Sequence, residues 1–569
     1  MARKSQNKTP ATGAGKLTKW DRMRGKLPLV LVMAAMLWAG FWMIKNAAQF
    51  SMTSDEAVYI PSGVRALEKG DIIMNSEHPP LNKLLAGLFV LPLKPDINQA
   101  LDYEPENDQW RFGDYFFYQS GNSTRALLFW GRLATALMTL GLIYLVYLWT
   151  AKNINPWVGA VAALSISFNP NIIANGSMTT NDLHLAFAVW ILLMASTYLI
   201  QKPKALSYVL FGLALALVLL AKFSGVFFAG LAIIIVFAGL LWRKEKLRRV
   251  VGWGIVALAL CTLTVWSTYL FIERGALFST QMVHVNVPRK GLVYLDKPAQ
   301  KIFIVPVLRY KEGYDVVRGH NEIGHNAYLD GEYSMSGFRD FFVKAIWYKT
   351  PTAILVICLI GLVWAIKQKQ WYIIAPAIIA FIFLGAMSWG RIHIGIRHIL
   401  PFYVLLAPMA GGGVYILLAN KNKLGYIIAA ILMIWLVADL SYNSPNKLSF
   451  FSQISGGWRQ GCQHLSDSNT DWGQELYLLE AWRKAHPAGK LIVGYVTGEN
   501  PKYLGIDYQN LTDIGAKAAC KGLPDDTTAI ISVNLVTGLF GPYPCLHKKI
   551  GQAERLGHTY LIFRPSTFK

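Results

Sequence analysis

Two adjacent carboxylates, Asp55 and Glu56, occur in the stretch SMTSDEAVY (51–59), directly after the first apolar run of the chain. Acidic pairs are common in polar loops, so an ordinary loop is the simplest interpretation. A further carboxylate, Asp182, occurs in TTNDLH (179–184) before another apolar run. Thr, Asn and Asp are good helix N-caps there. The functional alternative is that Asp182 faces the first two carboxylates across a cavity.

Basic residues are concentrated in WGRIHIGIRHILPFY (389–403), at the boundary between two apolar runs. These side chains, with two more near the start of another run, are Arg391, His393, Arg397, His398, Arg125 and Arg132. On the outer side of a membrane they would oppose the usual distribution, in which Lys and Arg favour the cytoplasmic side. They indicate an anionic ligand such as a phosphate, which Arg can bind through two hydrogen bonds. Contact with lipid headgroups is the alternative.

A single lysine, Lys222, interrupts the apolar run 206–242 in the stretch AKFSG (221–225). The run is too long for one membrane crossing, so it predicts two helices with a break near Lys222. The lysine could extend its amine to the lipid headgroups. It could equally bind an anionic headgroup as part of a site.

Several enzyme classes are excluded by their missing motifs. His320 and His325 are five residues apart with Glu322 between them, which does not fit the HExxH helix of a zinc protease. The sequence contains no Walker A loop, no GxGxxG stretch and no DxD pair for the metal of a nucleotide sugar. No cofactor is required, although carboxylates with His78 or His184 could hold a divalent cation.

The elements that must position these residues are membrane helices. The 569 residues are 54% hydrophobic and only 15% charged, whereas an average soluble protein has roughly 25% charged residues. Many apolar runs reach the ~18–20 residues that cross a bilayer. The net charge of +22 comes largely from Lys and Arg between these runs, which indicates membrane topology and not a nucleic-acid site.

Eleven transmembrane helices are predicted, in a polytopic α-helical membrane protein. The spans are approximately 28–44, 126–150, 157–173, 182–200, 206–220, 224–242, 250–270, 350–366, 371–388, 398–418 and 424–441. A basic tail, 1–27, precedes the first span, and the short loops on the same side are all basic. The positive-inside tendency therefore predicts a cytoplasmic N-terminus. The tail does not resemble a cleaved signal peptide.

Three long segments, 45–125, 271–349 and 442–569, are predicted on the extracytoplasmic side. The first contains HPPL (78–81) before a short apolar run, which predicts a helix lying along the membrane interface. The last combines an amphipathic helix pattern with strand-like runs. It predicts a small soluble α/β domain that follows the transmembrane domain, 28–441.

Three of the five cysteines, Cys462, Cys520 and Cys545, lie in this C-terminal domain. On an oxidising side of the membrane one disulfide is expected, with Cys520–Cys545 as the first candidate. Spacing alone leaves the connectivity open.

Several motifs together resemble the C-type glycosyltransferase superfamily, and within it the bacterial relatives of dolichyl-phosphate-mannose–protein mannosyltransferases and lipid A aminoarabinose transferases. In chain order the motifs are SDEAVY (54–59), HPPL (78–81), TTNDL (179–183), KFSG (222–225), HNAYLDGEYS (325–334), KTP (349–351), IGIRHILP (394–401) and SDSNTDWGQEL (466–476). The resemblance covers most of the chain. TDW (470–472) departs from it, since an apolar residue is expected before the Asp.

The resemblance implies an enzyme that transfers a sugar from a polyprenyl (undecaprenyl) phosphate to an acceptor, with inversion, on the periplasmic face of the bacterial inner membrane. It implies Asp55 as the base, Glu56 as a group that orients the acceptor or the loop, and Asp182 as a partner carboxylate. The donor-phosphate ligands would be Lys222, Arg391, Arg397, His398 and Arg132, and the substrate loop would contain His78, His325 and Glu332. Such a displacement needs a base for the acceptor hydroxyl and cations for the leaving phosphate.

A lipid or lipid-linked-sugar transporter is the main alternative function. Transporters place ionisable residues near the bilayer midplane, often in repeated halves, whereas here these residues are concentrated in outer loops without a visible repeat. A second alternative is an assembly factor that binds partners through its C-terminal domain. Within the transferase hypothesis, the acceptor could be a protein, a lipid or another glycan. Membrane lipids are expected partners, and nucleic acid is not.

Overall fold

Helices make up most of the computed structural model, which describes residues 19–71, 74–98, 108–277, 283–287, 291–419, 422–443, 446–496, 499–514, 522–541 and 543–568. The main helices are α1 (Lys19–Gln49), α2 (Glu56–Glu68), α3 (Leu81–Val90), α4 (Gln109–Asp114), α5 (Thr124–Asn153), α6 (Pro156–Ser167), α7 (Pro170–Gly176), α8 (Asn181–Gln201), α9 (Ala205–Ala221), α10 (Gly225–Trp242), α11 (Leu247–Ile272), α12 (Pro298–Ile323), α13 (Phe341–Lys349), α14 (Thr352–Lys367), α15 (Trp371–Trp389), α16 (Leu400–Ala419), α17 (Lys423–Tyr442), α18 (Gly457–His464) and α19 (Leu476–Ala485). A helix satisfies its own backbone polar groups, which is what long apolar segments in a bilayer require.

Every predicted span contains a helix. Among the described residues, eight helices are long and apolar enough to cross a membrane, or up to ten if two bent pairs each count as one span. The bent pairs are α6–α7, at 65°, and α13–α14, at 112°. The predicted span 206–220 is the shorter apolar helix α9, and the predicted break follows it at Lys222. The prediction of a polytopic α-helical protein is confirmed, whereas its orientation in the membrane stays a prediction.

A five-stranded sheet forms the centre of the C-terminal region. The strands of the structure are β1 (Val283–Val287), β2 (Gly291–Leu295), β3 (Ala327–Leu329), β4 (Glu332–Ser334), β5 (Lys490–Gly494), β6 (Gln509–Asn510), β7 (Thr527–Ser532), β8 (Glu554–Leu556) and β9 (Tyr560–Phe563). The sheet has the order β6-β5-β7-β9-β8. Strand β5 runs parallel to β6 and β7, and β9 runs antiparallel to β7 and β8. The predicted small α/β domain is therefore confirmed as a fold, while the boundaries of the three domains stay predictions.

The cysteine prediction is only partly covered by the described residues. Cys545 is disulfide-bonded, whereas Cys462 is free and buried. Cys520, its predicted partner, lies outside the described residues, as do residues 1–18 of the predicted basic tail.

The first long loop folds back onto the helical bundle through α2 and α3. The two helices cross closely at Gly63 and Gly87, where an added Cβ on either residue would meet the backbone of the other helix. Helix α3 also packs against α5. Because α2 starts immediately after Asp55, this packing determines where the Asp55 carboxylate is held.

The long loops and the C-terminal region meet at one end of the helical bundle, which we call the loop face. It is formed by the described residues within 50–123, 273–349 and 446–568. Asp330 of the second loop pairs with His464 at 2.9 Å, and Arg125 at the start of α5 pairs with Glu480 at 3.0 Å. The C-terminal region is thus packed onto the loops that carry the predicted site.

Candidate active site

The Asp55 carboxylate lies on the loop face, immediately before α2. Its Oδ2 accepts hydrogen bonds from Arg397 Nη1 at 2.8 Å and from Tyr59 Oη at 3.3 Å. Within the described ranges no group donates to its Oδ1, and the side chain is 21% exposed. One oxygen of the carboxylate is therefore held in place, while the other keeps its capacity to accept a hydrogen bond or a proton.

Asp182 joins the two cations of the site. It lies in the first turn of α8, and its side chain is 1% exposed. Its Oδ1 pairs with Lys222, the residue after α9, and its Oδ2 pairs with Arg397 Nη1 at 3.3 Å. Asp182 thus fixes the positions of both cations. We call Asp55, Arg397, Asp182 and Lys222 the ion network.

Arg397 is the centre of the ion network and lies in a 3₁₀ turn, Ile396–Ile399, just before α16. Its Nη1 donates to both carboxylates, while its buried Nε has no hydrogen-bond partner among the described residues. The Trp472 ring covers one face of the guanidinium, with Cζ 4.0 Å from the ring centroid. Guanidinium N–H groups lie in the plane of the group, so those that remain can bind an anion such as phosphate.

His78 lies beside the ion network on the loop between α2 and α3. Its ring packs edge-on against Tyr59, with centroids 5.5 Å apart. Lys83 Nζ donates to the carbonyl oxygens of His78 and Asn75, at 2.8 and 2.7 Å, and so fixes the conformation of this loop. Burial, followed by the charges of Lys222 and Lys83, holds the pKa of His78 well below its usual range. The ring is therefore neutral near pH 7.

Glu56, the neighbour of Asp55, lies in a sealed pocket. Its two oxygens accept hydrogen bonds from Arg132 Nη2 at 2.6 Å and Nε at 2.8 Å, and both side chains are 0% exposed. The amides of Thr53 and Thr179 also donate to Glu56. Burial opposes ionisation, but the Arg132 charge and these hydrogen bonds prevail and lower the pKa of Glu56.

Arg132 therefore has no N–H group left for a phosphate, which corrects its predicted place in the donor site. Its other N–H groups donate to the carbonyl oxygens of Ala47, Phe50 and Ser51, at 2.8 to 2.9 Å. These residues connect the end of α1 to Asp55. The Glu56–Arg132 pair thus holds the backbone from which Asp55 projects.

Several predicted site residues converge on this place: Asp55, Asp182, Lys222 and Arg397, with His78 and His398 close enough to interact with them electrostatically. Three others make no hydrogen bond or ion pair with the ion network, although His325 is close enough to Arg397 to interact with it electrostatically. Arg391 is exposed and donates to the Glu322 carbonyl oxygen at 2.8 Å. The His325 ring contacts His320 at 3.2 Å, and Glu332 is exposed on β4.

The described part of the chain contains no group of three or more His, Cys, Asp or Glu side chains placed to hold a metal ion.

Sequence reasoning missed the contribution of residues 466–476. Ser51 Oγ donates to the Gly473 carbonyl oxygen at 2.6 Å, and Ser54 N donates to that of Trp472 at 3.1 Å. The same segment reaches Arg397, since Ile396 N donates to Asn469 Oδ1 at 2.9 Å. The motif SDSNTDWGQEL carries part of the family resemblance, but a contact between residues more than 400 positions apart leaves no local signal in the sequence.

Three carboxyl groups lie at the contact between the C-terminal region and the site: Asp471 and Glu499 are buried, and Asp467 is half-buried. Burial raises the pKa of Asp467 to about 6, and those of Asp471 and Glu499 to about 7. Glu499 Oε2 accepts a hydrogen bond from Met52 N at 3.1 Å, three residues before Asp55. The protonation states of these carboxyl groups are therefore expected to change within the neutral pH range.

The chain matches the family model described as dolichyl-phosphate-mannose-protein mannosyltransferase over residues 69–283. The matched segment includes Asp182 and Lys222, whereas Asp55 and Arg397 lie outside it. The match covers less than half of the chain and agrees there with the predicted resemblance to dolichyl-phosphate-mannose–protein mannosyltransferases. A comparison with curated proteins gave no match.

The structure is also similar to three solved structures. The Archaeoglobus fulgidus oligosaccharyltransferase in the apo form has a TM-score of 0.42 and 13% identity, with 93% of this chain and 73% of that chain covered. ArnT from Cupriavidus metallidurans bound to undecaprenyl phosphate has a TM-score of 0.43 and 15% identity, with 94% and 98% covered. The Saccharomyces cerevisiae protein O-mannosyltransferase Pmt1-Pmt2 complex bound to the sugar donor has a TM-score of 0.45 and 11% identity, with 73% and 89% covered.

Proposed function

We propose that this protein is a membrane glycosyltransferase that moves a sugar from a polyprenyl phosphate to an acceptor hydroxyl group. The observation that carries the proposal is the ion network, in which an open carboxylate oxygen of Asp55 lies beside cations held by a buried Asp182. The family match to mannosyltransferases supports the same reaction class.

Asp55 is the proposed base. As the acceptor oxygen attacks the anomeric carbon, Oδ1 of Asp55 takes the proton of the attacking hydroxyl group. Arg397 and Tyr59 hold Oδ2 during this step, so the carboxylate keeps its orientation. Because the nucleophile and the leaving group are on opposite sides of the anomeric carbon, the sugar is transferred with inversion.

Arg397 and Lys222 are the proposed ligands of the donor phosphate, with His398 beside them. The bond between the anomeric carbon and the phosphate oxygen breaks, and the bonding electrons leave with the polyprenyl phosphate. Positive groups fixed before the reaction stabilise this charge as it develops. A phosphate needs no general acid, which agrees with the neutral state of the nearby His78.

An apolar cavity supports a lipid-linked donor. It has a volume of about 460 Å³ and lies among α8, α10, α15 and α16, where its lining includes Val189, Phe228, Ile379 and Leu405. Asp182 and Arg397 lie at the loop-face ends of α8 and α16, and Lys222 lies just before α10. The cavity extends towards the opposite end of the bundle, where Gln201 and Trp371 line it, and the proposal is that an isoprenoid chain reaches it from the ion network between these helices.

The reaction is proposed to occur at the extracytoplasmic surface of a bacterial inner membrane. This follows from the basic loops at the opposite end of the bundle. The acceptor is a protein, lipid or glycan hydroxyl group that approaches Asp55 from the loop face.

The test is transfer by the purified protein, in lipid nanodiscs, from a panel of undecaprenyl-phosphate sugars. Release of undecaprenyl phosphate, absent with Asp55→Asn, is the expected result, and the sugar that reacts identifies the donor. Asp340→Asn is the matched control, because Asp340 is exposed and pairs with Lys344 at 3.0 Å away from the ion network. Movement of the lipid-linked sugar across the bilayer without cleavage would contradict the proposal and indicate a transporter.

A further inference from the structure

The Trp472 ring is the one aromatic contact that the C-terminal region makes with the ion network, as far as the described residues extend. Its ring centroid is 4.0 Å from Arg397 Cζ, and the side chain is 5% exposed. A cation over an aromatic face is stabilised most when water is excluded. The contact therefore helps to fix the orientation of the Arg397 guanidinium.

The ring itself is fixed by packing. It belongs to a buried cluster with Phe50 at the end of α1, Ala174 and Met178 near α7, and Leu448. Phe50, Ala174 and Met178 lie on the bundle side, whereas Leu448 belongs to the C-terminal region, so the ring is packed between the two. Arg397 thus stacks on a fixed surface.

Stacking on one face leaves the edge of the guanidinium free for hydrogen bonds. Arg397 uses Nη1 for Asp55 and Asp182, while its Nε has no partner among the described residues. The Trp472 ring determines the plane in which these groups point. A tilt of that plane would turn the remaining donors away from an anion at the ion network.

The backbone around Trp472 adds a second constraint. Its carbonyl oxygen accepts from Ser54 N, next to Asp55. Three residues earlier in the chain, Asn469 Oδ1 accepts from Ile396 N, next to Arg397. One short segment therefore holds both sides of the Asp55–Arg397 pair.

We propose that Trp472 is a positioning residue for Arg397, through which the C-terminal α/β domain sets the affinity of the site for the donor phosphate. This inference rests on the proposed function of Arg397 as a phosphate ligand. It makes the C-terminal domain a part of the active site, beyond any role in binding partners.

The experiment compares Trp472→Ala and Trp472→Phe with Trp482→Ala, whose ring stacks on His486 in the same domain, away from the site. Trp472→Ala is expected to raise the donor KM and the Kd for undecaprenyl phosphate about tenfold. Trp472→Phe should retain most of the affinity, because it keeps an aromatic face, and Trp482→Ala should match the wild type. An unchanged Kd in Trp472→Ala, or an equal loss in Trp472→Phe, would overturn the proposal.

A measurement without donor separates this inference from the proposed function. Hydrogen exchange of the peptides that contain Ser54 and Ile396 should be faster in Trp472→Ala than in Trp482→Ala. If the wild type neither binds nor cleaves any donor, the proposed function fails, while faster exchange still supports the positioning role. Unchanged exchange in Trp472→Ala would overturn that role whether or not the wild type transfers sugar.

Discussion

Asp55 and Glu56 are adjacent in sequence, and each pairs with an arginine from a distant helix, yet the two pairs differ in burial and in hydrogen bonding. Glu56 and Arg132 are both 0% exposed, and every N–H group of Arg132 is used. Asp55 is 21% exposed, and Arg397 donates to it through one nitrogen. A saturated pair can only support structure, whereas a pair with unused donors and acceptors can bind a substrate.

The first prediction concerns the open pair. Asp55→Asn should reduce the rate of transfer by about 10²–10⁴-fold, because an amide cannot accept the proton of the acceptor hydroxyl group. Initial rates with a reactive undecaprenyl-phosphate sugar measure the loss, and thermal unfolding should stay that of the wild type. Rates within a few-fold of the wild type would remove Asp55 from the role of base.

The second prediction concerns the sealed pair. Arg132→Met should lower the free energy of unfolding by about 3–5 kcal/mol, because it leaves the Glu56 carboxylate buried without its counter-ion. Chemical denaturation in detergent measures the change. Arg318→Met, which breaks the exposed pair with Glu322, is the control and should unfold like the wild type. Equal effects of the two substitutions would remove the distinction between the pairs.

A third prediction concerns Glu499, a buried carboxyl group whose pKa is raised by burial, in contrast to that of Glu56. For Glu499, burial outweighs the hydrogen bond from Met52 N and the charges of Arg132 and Arg125 and raises the pKa from the ordinary 4.5 to about 7. The folded state then binds more protons than the unfolded state between pH 4.5 and 7, so stability should fall by roughly 3 kcal/mol as pH rises through this window. Glu499→Gln should reduce the slope of stability against pH in this window.

Thermal unfolding of the wild type and Glu499→Gln from pH 4 to 8 tests that slope. Asp467 and Asp471 also have raised pKa values, so a reduced slope and not a flat profile is expected in the variant. Parallel profiles of the two proteins would show that Glu499 does not titrate in this window.

The smallest expected effect is that of Arg397→Lys. The charge is kept, but the planar guanidinium that stacks on Trp472 is lost, and a lysine cannot bind phosphate in the same bidentate manner. We expect about a tenfold increase in the donor KM, roughly 1.4 kcal/mol, with little change in unfolding. A variant that binds donor normally would place the phosphate elsewhere.

Much of the fold was accessible from the sequence, because apolar runs of membrane length have few alternatives to helix. The strands β5, β7 and β9 could also be predicted, because they coincide with the strand-like runs KLIVGYV, TAIISVN and HTYLIF. The break before α10 was predicted at Lys222 from the length of the run alone. These features depend on local composition.

The residues of the site could be predicted from the sequence, but their contacts with one another could not. Asp55, Asp182, Lys222 and Arg397 were all candidates, and they do meet. The different roles of Asp55 and Glu56 depend on which arginine each one reaches, and this is decided by helix packing. For the same reason Arg132 was grouped with the phosphate ligands, although it contacts only protein groups.

The segment 466–476 also determines when the site can form. A nascent chain that ends before residue 466 contains all four residues of the ion network, but it lacks the Trp472 ring and the carbonyl groups that hold the Ser51–Ser54 backbone. Domains generally fold from the N-terminal side as synthesis proceeds, so the helical bundle can assemble while Arg397 still has no ring to stack on. A chain that ends before residue 466 is therefore expected to reach the membrane with an incomplete site, which is completed only when the C-terminal domain has folded onto the loop face.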